Sequence, residues 1–108
     1  VRGLSPNESA ALRKLKAALA RDFRLVELRL FGSKARGDSD QESDIDVLVV
    51  LEDYDWEVEK AVCDLCFAIN LEFHVLLSPV LYRRSEFDSD LTRITPFYQA
   101  VTREGIVV

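Results

Sequence analysis

Nothing in this 108-residue sequence approaches the roughly 20 consecutive apolar residues that a membrane-spanning helix needs. Its first residues mix polar and apolar types without a leader pattern, so the expected setting is cytoplasmic. Cysteine is scarce. Cys63 and Cys66 form a lone C-x-x-C, and the chain has one histidine, too few ligands for a closed zinc site. Cys66 also falls on an apolar helical stripe, so the pair reads as core and near-core packing. Basic residues are in the minority, 14 against 19 acidic, for a formal net charge of −5. That balance argues against holding DNA or RNA on a broad basic surface. It leaves room for a nucleotide site, because a divalent cation can bridge carboxylates to phosphates. Repeats, low-complexity segments and linkers are absent too. With 48% hydrophobic residues over this length, residues 1–108 are expected to form a single domain with one core.

What is present orders itself as helix, strand, strand, helix, strand, helix. Ser5-Pro6-Asn7-Glu8 reads as a capped helix start with a capping box, followed by an apolar stripe of Ala11, Leu12, Leu15, Ala18 and Leu19. Residues 26–31 alternate as a strand, and Gly32-Ser33 ends it. A short helical turn over 33–36 is expected, then a polar loop over 37–43 and a more buried strand over 44–51. Asp55 can cap a helix over 56–70, on which Val58, Ala61, Val62, Leu65, Cys66 and Ile69 share one face. Residues 72–82 alternate as a third strand, with Glu72, His74, Leu76 and Ser78 on one side. Pro79 places the end of that strand at a sheet edge or out of the sheet. A last helix is expected from about 90 to 103, interrupted near Pro96, with a short extended tail at 106–108. Trp56, Phe97 and Tyr98 read as packing residues. The fold class is α/β (α+β), a small sheet with helices against it.

The stretch GSKARGDSDQESDIDVLVV, residues 32–50, carries the chemistry. On a strand, residues i and i+2 share a face, so Asp44 and Asp46 project together while Ile45, Val47 and Val49 face the core. Two carboxylates so close repel each other unless a cation lies between them, and Mg²⁺ or Mn²⁺ suits an oxygen donor set. Gly32 allows a sharp turn and a close backbone approach. Ser33 opens a helical turn whose free N–H groups favour an anion. Lys34 and Arg36 bring positive charge, and Gly37 lets the chain bend back. The layout is a phosphate cradle beside a metal-holding carboxylate pair, which is what a metal-bound nucleoside triphosphate requires. Asp38, Asp40, Glu42 and Asp53 read as loop or strand-end charges.

Gly32-Ser33, Arg36-Gly37 and Ser43-Asp44-x-Asp46 resemble the G-S-x-x-x-G … S-D-x-D signature of the nucleotidyltransferase superfamily that includes DNA polymerase β. The longer run resembles its small prokaryotic branch, the minimal nucleotidyltransferases. The segments LLSPVLYRRSEF and TPFYQAVTREGIVV are also similar to those domains, so the resemblance spans nearly the whole chain. It implies a polymerase β-like fold, a mixed sheet with helices on one side and the site at one end of the first two strands. It implies two-metal transfer of a nucleoside monophosphate, with Asp44 and Asp46 as shared Mg²⁺ (or Mn²⁺) ligands and Gly32 and Ser33 at the triphosphate. The family adds a third carboxylate from a neighbouring strand, and Glu72 is the candidate by position. The expected catalytic and metal set is therefore Asp44, Asp46 and Glu72, and the expected nucleotide-binding set is Gly32, Ser33, Lys34, Arg36 and Gly37.

The resemblance further implies ATP as substrate, AMP as the transferred group, and a separately encoded HEPN-domain toxin as acceptor, with this chain as antitoxin. A homo-oligomer stays open. So does a second reading, a catalytically weak nucleotide-binding module that neutralises its partner by contact. That reading gains if Glu72 does not face Asp44 and Asp46. A nucleic-acid end modifier would need a basic partner.

Overall fold

The computed structural model describes residues 3–37 and 44–108. The expected loop over 37–43, with Asp38, Asp40 and Glu42, therefore lies outside the described residues apart from Gly37. Helix α1 (Pro6–Asp22) begins as its sequence dictates. Ser5 Oγ accepts the Glu8 backbone N–H at 3.1 Å, and Glu8 Oε1 accepts the Ser5 N–H at 2.8 Å. The stripe of Ala11, Leu12, Leu15, Ala18 and Leu19 is buried.

Strand β1 (Leu25–Phe31) leads directly into the five-residue helix α2 (Gly32–Arg36). Strand β2 (Ile45–Leu51) returns antiparallel to β1, pairing Phe31 with Asp46. Helix α3 (Trp56–Phe73) starts at Asp55, whose carboxylate accepts the Val58 N–H at 3.0 Å, and crosses over to strand β3 (Leu77–Arg83), parallel to β2. Three short helices follow, α4 (Arg84–Phe87), α5 (Asp90–Arg93) and α6 (Pro96–Glu104). Strand β4 (Ile106–Val107) then closes on the free side of β1, giving the order β3-β2-β1-β4. Pro79 sits on the edge strand β3, where the missing N–H breaks no ladder on its open side.

The sheet is covered on both faces, not one as the resemblance implied. Leu28, Leu30, Ile45, Val47, Val49 and Leu51 pack against α1 and α3. The opposite face buries Leu48 and Val50 under Phe87 and Val101, with Phe31, Tyr82, Phe97 and Tyr98 around them. The near-continuous burial of β2 follows from this double cover, since both sides of the strand must be apolar. Phe31 meets the Phe97 ring edge-on at 5.4 Å, and Tyr82 stacks on Phe97 at 5.9 Å. Phe97 and Tyr98 thus pack as expected, whereas Trp56 is 71% exposed and packs little.

The third strand corrects the sequence reading. Residues 72 and 73 are the last turn of α3, and His74 ends that helix in the left-handed conformation, φ 56°. The apolar stripe explains the extension: Leu65, Ile69 and Phe73 continue at i+4 into the core. Asn70 then fixes where the strand begins. Its Oδ1 accepts the Leu77 N–H at 2.8 Å, while the Ile45 N–H donates to Leu76 O at 2.7 Å. Cys66 is buried and Cys63 exposed, with no disulfide. Burial, and then the neighbouring Cys63, push the Cys66 thiol up to about 11, as suits an inert core residue.

Candidate active site

The candidate site lies where β1 ends and β2 begins. Asp46 sits on the face of β2 shared with Leu48 and Val50, half-buried, and Asp44 is exposed one residue ahead of the strand. Gly32 adopts φ 73°, and a Cβ at that position would collide with Asp46 Oδ2. The glycine is therefore required twice: for the left-handed turn out of β1 and for the space the Asp46 carboxylate occupies. Gly37, φ 79°, ends α2 and donates its N–H to Ser33 O at 2.9 Å. Among the described residues no side chain caps the start of α2.

Burial raises the Asp46 pKa above the ordinary carboxylate value, and the charge of Asp44 raises it further; Arg36 acts in the opposite direction and does not cancel them. Two like charges, one of them partly desolvated, are held at the same end of the sheet. This donor set fits a hard divalent cation, which would relieve both the repulsion and the desolvation.

Lys34 and Arg36 cannot serve together. Two positions on an α-helix turn by about 200°, so residues 34 and 36 leave α2 on opposite sides. Lys34 points into the protein. It is 1% exposed, and its ammonium pairs with Glu8 Oε2 at 2.8 Å. Lys34, expected at the nucleotide, instead anchors α2 to the start of α1 in this structure. Burial alone would raise the Glu8 pKa, but the hydrogen bonds from Lys34 and from the Ser5 backbone outweigh it and leave the carboxyl below its usual value. Arg36 is the cation on the site side. It lies close enough to Asp46 to lower that carboxyl's pKa, and it also reaches Glu104 on α6 at 3.3 Å.

Glu72 is likewise corrected as a ligand. Being in the last turn of α3 and not on a strand, it pairs with Lys14 of α1 at 2.6 Å, both side chains about half exposed. His74 is the helix cap. The residue that β3 places beside Asp46 in register is Ser78, and its hydroxyl donates to Asp44 Oδ2 at 3.0 Å. Sequence alternation had put Ser78 on the same side as Glu72; the parity was right for Ser78, but the strand starts too late to include Glu72. Asp53 pairs with Arg83 at 3.1 Å, as a strand-end charge should. Among the described residues no group of three or more His, Cys, Asp or Glu side chains converges as a metal site.

A carboxylate pair thus enters one strand and faces a glycine turn out of the preceding strand. The model of the nucleotidyltransferase domain matches residues 12–96, and the chain belongs to that family. A Methanocaldococcus jannaschii protein named "Putative protein adenylyltransferase MJ0604" is 33% identical over 105 residues, which cover 94% of this chain and 98% of the relative. A second from the same organism, MJ0141, carries the same description and is 36% identical over 86 residues, 79% of this chain and 80% of the relative. Among solved structures, one described as a "putative minimal nucleotidyltransferase" superposes with TM-score 0.63 at 26% identity, covering 96% of this chain and 97% of that one. A toxin–antitoxin crystallised with AMP-PNP superposes with TM-score 0.64 at 24% identity, covering 91% of this chain and 69% of that chain, a likeness of fold. The chain is a nucleotidyltransferase domain, with no described helix long and apolar enough to cross a membrane.

Proposed function

We propose that this chain transfers AMP from ATP to a hydroxyl of a partner protein, a HEPN-domain toxin, and acts in the cytoplasm as its antitoxin. The observation that carries the reading is the Asp44–Asp46 pair set against Gly32. The names of the two archaeal relatives support adenylyl transfer to protein, and the toxin–antitoxin structure supports the partner class. Asp44 and Asp46 would hold Mg²⁺ or Mn²⁺, which when bound neutralises charge on the triphosphate and on the departing pyrophosphate. Gly32 and Ser33 line the approach to the triphosphate, and Arg36 adds positive charge beside it. In the transfer, the acceptor hydroxyl oxygen bonds to the α-phosphorus. The bond from that phosphorus to pyrophosphate breaks, and the hydroxyl proton is released.

Incubating the chain with the partner, ATP and Mg²⁺ should add whole AMP units to the partner's intact mass, and Asp44→Asn should abolish the addition. An unchanged partner mass under all conditions overturns the proposal. A second reading, neutralisation by contact with catalysis weak or absent, is favoured by one observation: the third strand presents Ser78 and no carboxylate. It predicts that Asp46→Ala still binds and silences the partner, whereas the transfer reading predicts that the toxin stays active.

A further inference from the structure

Asp44 and Asp46 are placed by different means. Asp46 belongs to β2, so the strand pleat aims its carboxylate to the side that carries Leu48 and Val50. Asp44 is exposed and stands one residue ahead of the strand, outside that pleat. Its carboxylate is reached instead from the neighbouring strand. Ser78 of β3 lies in register with Asp46, and its hydroxyl donates to Asp44 Oδ2 at 3.0 Å. Ser78 is itself held in place. The Ile45 N–H donates to Leu76 O at 2.7 Å, and Asn70 Oδ1 accepts the Leu77 N–H at 2.8 Å. A hydroxyl fixed beside Asp46 thus holds the carboxylate of Asp44.

We propose that Ser78 is a positioning residue whose hydroxyl directs the Asp44 carboxylate, so that Asp44 and Asp46 can grip a divalent cation together. The inference rests on the reading of the aspartate pair as a cation site. An exposed aspartate gives up side-chain rotation when it takes a ligand, and the hydrogen bond from Ser78 restricts that rotation beforehand. Hydrogen-bonding partners of metal ligands act in this way, and losing one typically costs roughly 10–100-fold in metal affinity.

Three substitutions separate the hydroxyl from the shape of the side chain. Thr keeps the hydroxyl, Val has the shape of Thr without it, and both suit a strand. Titrating Mn²⁺ into the full chain without nucleotide, with the free ion read by electron paramagnetic resonance, gives the affinity of the site itself. Ser78→Ala and Ser78→Val should each bind Mn²⁺ about tenfold more weakly than wild type. Ser78→Thr should bind as wild type does. Circular dichroism reports whether Ser78→Ala is folded, and if it is not, the comparison of Thr with Val decides alone. Thr and Val that bind alike, whether as wild type or weakened together, overturn the inference and leave the transfer reading intact. Wild type that takes up no Mn²⁺ also overturns it, and the mass of the partner after incubation with ATP then decides the transfer reading separately.

Discussion

Two charge pairs flank the helix α2 and obey opposite rules. On the inner side, Glu8 and Lys34 are of opposite sign, buried and in contact at 2.8 Å. Each offsets the other's desolvation, and Glu8 is further tied into the cap of α1. On the outer side, Asp44 and Asp46 are of the same sign, and burial with mutual repulsion makes ionised Asp46 costly. The first pair is complete within the chain. Under the proposed function, the second would be completed by a cation and the phosphates it binds. The difference separates the part of the GSKARG turn that builds the fold from the part proposed to meet a ligand, although the two cations of that turn are only two residues apart.

The largest effect expected from breaking this contrast is on the inner pair. Lys34→Met leaves Glu8 charged and buried without its partner, a loss of about 3–5 kcal/mol. Chemical denaturation should show it, and the double variant Lys34→Met/Glu8→Gln should recover most of the loss, because Gln keeps the cap of α1 while removing the charge. The pH dependence follows from the lowered Glu8 pKa. Its contribution is fully present above the unfolded carboxyl's pKa and is lost as pH falls through the folded value. Wild type should therefore lose stability on acidification more steeply than the double variant.

Gly32→Ala comes next. The left-handed φ costs about 1–3 kcal/mol for a non-glycine residue, and the new Cβ displaces the Asp46 carboxylate. Thermal melting should fall moderately while nucleotide transfer falls far more, by over the roughly tenfold that a moderate loss of outer support costs. A variant with the stability loss alone would mean that Asp46 does not use that space.

Arg36→Ala should have the smallest effect on folding. Its pair with Glu104 is partly exposed, and such pairs contribute about 0–1 kcal/mol. Its influence should appear instead in the pH profile. Arg36 lowers the Asp46 pKa, so removing it should move the acidic limb of the activity profile to higher pH.

Much of this was legible in the sequence for physical reasons that stay local. A capping box is a three-residue affair, and Ser5 to Glu8 form one. The D-x-D spacing fixes a shared face once a strand is granted, and the strand is granted by the apolar run that follows it. The failures came where two periods fit the same letters. Residues 72–78 alternate, but Phe73 also extends the stripe of Leu65 and Ile69, and core burial of that stripe won. This moved Glu72 onto a helix and left Ser78 in the position assigned to a carboxylate. Lys34 and Arg36 leave a five-residue helix on opposite sides, and spacing alone shows it. The burial of Lys34 against Glu8, 26 positions earlier, is not legible that way, since it depends on how α1 packs under the sheet.

On the proposed function, the carboxylate pair is kept at a cost to the empty fold for the sake of a cation. Thermal melting of wild type and Asp46→Asn, each without metal and with Mg²⁺ and α,β-methylene-ATP, tests it most directly. The folded Asp46 pKa is raised, so the ionised residue is disfavoured at neutral pH, and stability falls as pH rises through that value. Without metal, Asp46→Asn should melt above wild type at pH 7, the gap closing on acidification below the carboxylate range. With metal and analogue, wild type should rise and Asp46→Asn should not. Equal or lower melting of Asp46→Asn without metal, with the same ligand response in both proteins, would contradict both that cost and its purpose.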